Sequence, residues 1–208
     1  MKEPAKDYSH IGLSYITHFY CNKPGAFDPV QSLLDSYAGY PADILDRMQF
    51  VVVDDGSPVE YEVPDVDLNL TWLRINRDIP WNNPGARNLG VTHAKSDKIV
   101  LTDVDHEFPA ETLRHILARP ECGRNFYKIR RFQDGSLAKH SHANTFLMSR
   151  ARFMRLWGYD EEFCGHYGHD DVWFVKFQKW HGSWERHLPR RFPIRIRSNV
   201  SRKLTHTL

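Results

Sequence analysis

The stretch that most constrains this chain is Lys98-Ile-Val-Leu-Thr-Asp-Val-Asp-His106, an apolar, β-branched run ending on two carboxylates at i and i+2, Asp103 and Asp105. A buried strand that ends this way sets two acidic side chains at the carboxyl edge of a sheet, where open α/β sheets bind their ligands. With no Lys or Arg between them, the pair suits a hard divalent cation that also takes oxygens from a substrate phosphate. The plainer alternative is a polar strand-to-helix turn, in which Asp105 or the residues after it cap the helix that opens near Pro109.

The rest of the chain gives that strand its setting. Residues 11–17 read as a first strand, and residues 30–38 as a helix with Leu33, Leu34 and Tyr37 at helical spacing. The continuous apolar run 48–53 suits a strand covered on both faces, and it closes in Asp54-Asp55-Gly56-Ser57-Pro58, residues of the type that build turns. A third strand is expected over 70–75, a short helix over 86–94 after Asn83-Pro84-Gly85, and another helix over 109–118. Alternation of this kind predicts an α/β fold with a mostly parallel sheet and helices on its faces.

Past Arg119 the character changes. Residues 126–132 and 137–148 predict a hairpin around Gln133-Asp-Gly-Ser136, because Asp-Gly accepts positive φ. A short helix over 151–157 should end at Gly158 as its C-cap, with Trp157 packed in the core or beside a ligand. A helix over 170–180 carries Trp173, Phe174, Phe177 and Trp180; a last strand over 183–188 and a basic tail over 194–208 complete the chain. No linker or repeat interrupts it, so residues 1–208 are expected to form a single domain.

Composition excludes several classes. A net charge of +2 is too small to argue for nucleic acid or a membrane surface. Cys21, Cys122 and Cys164 are scattered, give neither a disulfide framework nor zinc spacing, and favour a reducing compartment. The polar first ten residues lack the apolar run of a signal peptide, and no stretch approaches the about 18 apolar residues of a membrane span. A cytoplasmic protein is the expectation.

Three acidic turns follow strands or loops, Asp54-Asp55, Asp103-Asp105 and Asp170-Asp171, and in a parallel sheet such turns gather at one edge. Their order and wording resemble the GT-A glycosyltransferases: Val-Val-Asp-Asp-Gly-Ser (52–57) is similar to the nucleotide-binding turn of the large inverting family. Pro-Gly-Ala-Arg-Asn-Leu-Gly (84–90) resembles its helix start, and Leu-Thr-Asp-Val-Asp (101–105) its Asp-x-Asp strand. Residues 144–153, Trp-Gly-Tyr-Asp-Glu-Glu-Phe (157–163) and Gly-His-Asp-Asp (168–171) resemble the β-1,4-galactosyltransferase-like branch, with His169 where that branch usually has Glu.

The resemblance implies a nucleotide-sugar-binding half over about 11–118 and an acceptor-side half over about 119–208. It implies a metal-dependent, inverting transfer of a hexose or N-acetylhexosamine from a UDP-sugar to a carbohydrate hydroxyl, aided by manganese or magnesium. Asp170 becomes the candidate general base; Asp171, Trp157 and Tyr167 face the acceptor; Thr17, His18, Asp54 or Asp55, Arg87, Asp103 and Val104 face the donor. Asp103 and Asp105 hold the metal, with His206, or else His187, completing its shell. Arg87 has an equally ordinary alternative as a salt-bridge partner of an aspartate. Haloacid-dehalogenase-type phosphatases also use Asp-x-Asp, but on the first strand, whereas about a hundred residues precede it here. The non-enzymatic alternative is an inactive GT-A-like protein that only binds glycan or nucleotide.

Overall fold

The computed structural model describes residues 7–133 and 135–197. Five strands and four helices occupy the first part of the chain, with α2 a single turn: β1 (Leu13–Phe19), α1 (Asp28–Ala38), α2 (Ala42–Leu45), β2 (Met48–Asp54), β3 (Leu70–Arg74), α3 (Asn83–Thr92), β4 (Lys98–Leu101), β5 (His106–Glu107) and α4 (Ala110–Ala118). There follow β6 (Asn125–Gln133), β7 (Ser136–Ser149), α5 (Arg150–Arg155), a 3-10 turn at Glu161–Phe163, α6 (Asp170–Trp180), β8 (Trp184–His187) and β9 (Ile194–Ile196). All the strands join one sheet in the order β3-β2-β1-β4-β7-β6-β9-β5, with β8 alongside β6. The first four are parallel, and β7 runs antiparallel to both β4 and β6.

The period of two along each strand sends neighbouring side chains to opposite faces, and β2 shows it residue by residue. Met48, Phe50 and Val52 pack in the cluster that includes Leu33, Tyr37 and Leu113 of α1 and α4. Val51 and Val53 pack on the other face with Ala86 and Val91 of α3, Phe153 of α5 and Phe174 of α6. Helix α1 buries Val30, Leu33, Leu34 and Tyr37, the i, i+3, i+4, i+7 stripe of a helix lying on a sheet. Each such side chain taken fully from water is worth about 1.5–3 kcal/mol. Helix α3 approaches β1 so closely that a Cβ on Gly90 would lie 2.5 Å from Ile16 Cγ2.

The sequence reading differs from the structure at several edges. The first strand runs on to Phe19, because β2 pairs with it as far as Asp54. Helix α3 opens at Asn83 rather than Ala86, Pro84 being acceptable in the first turn, where its missing N–H is not needed. Trp157 is not core: it follows α5, adopts φ +58° and is 81% exposed. The expected basic tail begins as strand β9, and its residues 198–208 lie outside the described ones. The three cysteines are free thiols.

Candidate active site

The carboxyl ends of β1, β2 and β4 open into a cleft of about 530 Å³, closed on its far side by the loop that leads into α6. Asp55 arrives from the turn after β2, Asp103 and Asp105 from the turn after β4, and Asp170 and Asp171 from the first turn of α6. Three segments distant in the chain thus bring their acids to one space. His18, Val104 and Tyr167 line it as well.

Of the first acidic pair, Asp55 faces the cleft and Asp54 holds the turn. Asp54 accepts from Ser57 N at 2.8 Å and from the Tyr61 hydroxyl, and it pairs with Arg74 at 3.3 Å. Asp55 accepts from Asn82 Nδ2 at 2.7 Å. Burial raises its carboxyl to a pKa of about 7; the Asn82 hydrogen bond works against this, and the charges of Asp54 and Asp78 add to it.

Asp103 is held from behind. Arg87 is 1% exposed and places its Nη2 2.5 Å from Asp103 Oδ1, while its other nitrogens donate to Asn83 Oδ1, Asn144 O and the Tyr159 hydroxyl. Loss of water opposes ionisation of Asp103, but the Arg87 guanidinium, followed by His142, His106 and His18, outweighs it and holds the pKa at about 2. Arg87 thus forms the salt bridge to an aspartate that the sequence offered as its alternative, and it is not among the residues lining the cleft.

Two histidines that sequence reasoning missed complete this corner. Asp103, His106 and His142 each offer a ligand atom, all within 4.8 Å of one another. The His106 and His142 rings lie 4.2 Å apart, and burial depresses the pKa of both to about 4, so each is a neutral imidazole with a lone pair to give. Among the described residues, His106 Nε2 and Asn144 Oδ1 are buried without a hydrogen-bond partner, and His106 Nδ1 has only Asp105 Oδ1 near it, outside good hydrogen-bond geometry. Such orphaned polar atoms are costly unless something binds them. A carboxylate with two imidazoles fits a divalent transition-metal ion better than magnesium, which prefers oxygen throughout. Asp105 lines the same cleft with its Oδ1 3.2 Å from His106 Nδ1.

Asn82 and Asn83, also missed, lie at the start of α3 and tie the acids together: Asn82 donates to Asp55, and Asn83 donates to Asp170 Oδ2. Helix α6 draws no side-chain cap from His169, which sits at its N-cap in the left-handed region at φ +72°. Trp81, with φ +49°, lines the cleft with its ring 4.6 Å from that of Tyr167.

Other expected residues stand elsewhere. Thr17 is buried on β1 and does not reach the cleft. Trp157 lies outside the cleft lining, and His187 is exposed on β8, 3.1 Å from Ser141 Oγ and apart from the Asp103 cluster. His206 lies outside the described residues.

A family model described as glycosyl transferase family 2 matches residues 28–174. No curated protein sequence matches the chain. Among solved structures, TarS 1–349 of S. aureus in complex with UDP-GlcNAc is similar, with TM-score 0.63 and 15% identity over 92% of this chain and 60% of that one. The mannosyltransferase PcManGT from Pyrobaculum calidifontis, in complex with GDP-Man and Mn2+, gives TM-score 0.60 and 19% identity over 94% of this chain and 59% of that one. The catalytic domain of Drosophila beta1,4galactosyltransferase 7, in complex with xylobiose, gives 0.54 and 15% over 84% and 63% respectively. At these identities the likeness speaks for a shared GT-A fold, and this chain spans about three-fifths of each neighbour.

Proposed function

The chain belongs to glycosyl transferase family 2, and from that premise we propose that it transfers a hexose or N-acetylhexosamine from a UDP-sugar to a hydroxyl of a carbohydrate acceptor, with a divalent cation and with inversion. The observation that carries this reading is the single cleft that gathers Asp55, Asp103 with Asp105, and Asp170 from three strand and loop ends. A protein that only bound nucleotide would have no need of the third acid.

Each residue has a role set by its surroundings. Asp55, in the turn after β2, accepts from the N–H of the uracil ring. Asp103, His106 and His142 are the residues that would hold the cation, with Asp105 beside them. When bound, that cation stabilises the diphosphate leaving group as negative charge builds on it. Arg87 keeps Asp103 ionised and in place. Asp170 is the general base: as the acceptor oxygen bonds to the anomeric carbon and the bond from that carbon to the diphosphate oxygen breaks, the acceptor proton passes to the Asp170 carboxylate. Asn83 orients that carboxylate through its hydrogen bond. Tyr167 and Trp81 offer ring faces on which a sugar can stack.

The experiment is calorimetry of UDP- and GDP-sugars with and without manganese, on the wild type and on Asp103→Ala. The expected result is manganese-dependent binding of a UDP-sugar that the variant loses. A wild type that binds no nucleotide sugar overturns the proposal, and preference for a GDP-sugar overturns its uridine part.

A further inference from the structure

Away from the catalytic cleft a second hollow, of about 460 Å³, lies between the start of β6, the turn into α5 and the end of α6. Arg124, Arg152, Arg155 and His181 line it, and among the described residues no carboxylate pairs with any of the three arginines. Arg152 is fixed, its Nε donating to Ser183 Oγ at 2.9 Å and its Nη2 to the His181 carbonyl at 2.5 Å. Loss of water, and then the charges of Arg124 and Arg155, lower its pKa. Arginine side chains crowded in this way favour an anion between them.

Tryptophans stand on the rim. Trp184 is 52% exposed, with the guanidinium carbons of Arg124 and Arg186 5.5 and 5.6 Å from its ring centre. Trp180 is 81% exposed and adjoins His181. Two turns back on the same outward stripe of α6, Trp173 is 47% exposed, with Lys176 Nζ 5.5 Å from its ring centre. The carboxylate nearest this rim in the chain, Glu185, is engaged by Lys179 at 3.3 Å.

We propose that this face, made by the outer stripe of α6, β8 and the arginine hollow, docks on an anionic phospholipid bilayer, with headgroup phosphate seated among Arg124, Arg152 and Arg155. The charge of the hollow is complementary to such headgroups, and basic side chains near an anionic leaflet are each attracted to it. Tryptophan settles at the level of the headgroups, its ring apolar and its N–H wet. Trp180 and Trp184 are exposed and do not line the hollow, so they are not placed to stack on a ligand held inside it. No helix among the described residues is long and apolar enough to cross a membrane, and the proposed contact is a surface one.

The test is co-sedimentation of the full chain with vesicles of phosphatidylcholine alone and of phosphatidylcholine with phosphatidylglycerol, with tryptophan emission recorded alongside. Binding is expected on the anionic vesicles, with a blue shift, and it should weaken as salt is raised. Each charge lost should weaken partition about fivefold, so the reversal Arg155→Glu should cost roughly 25-fold. Trp180→Ala should bind less and shift less. Circular dichroism and nucleotide-sugar calorimetry on both variants report folding and the catalytic cleft separately, so failure here is distinguishable from failure of the transferase reading. Equal or absent binding to the two kinds of vesicle overturns the proposal, as does a folded Arg155→Glu that binds like the wild type. Inorganic phosphate or dextran sulfate bound without any vesicle binding assigns the hollow to a soluble anion and overturns it too.

Discussion

Asp55 and Asp103 face one cleft, and their neighbours send them in opposite directions. Burial opposes ionisation at both, but Asp103 has the Arg87 guanidinium against it and is held at about 2. Asp55 has only the Asn82 amide to set against burial, Asp54 and Asp78, and it rises to about 7. Its folded pKa lies above the unfolded one, so its contribution to stability is fully present below the unfolded value and is lost as pH climbs through about 7. Asp55→Asn should therefore melt higher than the wild type at about pH 8 and no higher at about pH 4. In its proposed role as acceptor for uracil, Asp55 binds more strongly when ionised, so calorimetric affinity for UDP should climb more steeply between about pH 6 and 8 in the wild type than in the variant. Asp170→Asn should lower kcat by about 10²–10⁴-fold and leave donor affinity unchanged. At this scale the acids were legible, because carboxylates after apolar strands point to a sheet edge. His142 was not, because its place beside Asp103 is set by the pairing of β7 with β4 and not by spacing along the chain.

Elements were legible where one segment carries its own signal. The run in β2 is apolar without a break because both faces are covered, and α6 has the extent its sequence predicts, Asp170–Trp180, because two acids open it and glycine lies just beyond its end. Strands β5 and β9 span two and three residues and pair with each other across most of the C-terminal half. Nothing so short shows a period. The turn from α5 to the 3-10 segment is a third case, its glycine legible and its reason visible only in the packing. Gly158 has φ +69°, and a Cβ there would strike the Phe153 ring and the Asn88 side chain, which in turn accepts from Tyr159 N at 2.9 Å. Gly158→Ala should cost about 1–3 kcal/mol, read as a lower urea midpoint at unchanged slope. Because Tyr159 also bonds Arg87, the same variant should weaken donor binding.

For the whole molecule, the cation links chemistry to stability. A ligand at 100 times its dissociation constant adds about 2.7 kcal/mol to the native state, so manganese should raise the melting temperature of the wild type, EDTA should reverse the gain, and His142→Ala should abolish the response. The apolar clusters on the two faces of the sheet include none of the candidate ligands. The doubly covered α/β sheet was the most legible level of all, since alternation of strands and helices needs no register to be recognised; the antiparallel graft of β7 onto β4 needed the structure. That graft also dictates an order of events as the chain leaves the ribosome. Strands β1 to β4 can associate as soon as residue 101 has emerged, but β4 then presents Ile99, Val100 and Leu101 along an open backbone edge, the kind that recruits stray strands. The edge stays open until Phe146 to Ser149 arrive to pair with it, and His142 comes in on the same strand. The nascent chain is thus most prone to aggregate during the synthesis of the segment that then closes the sheet and finishes the site.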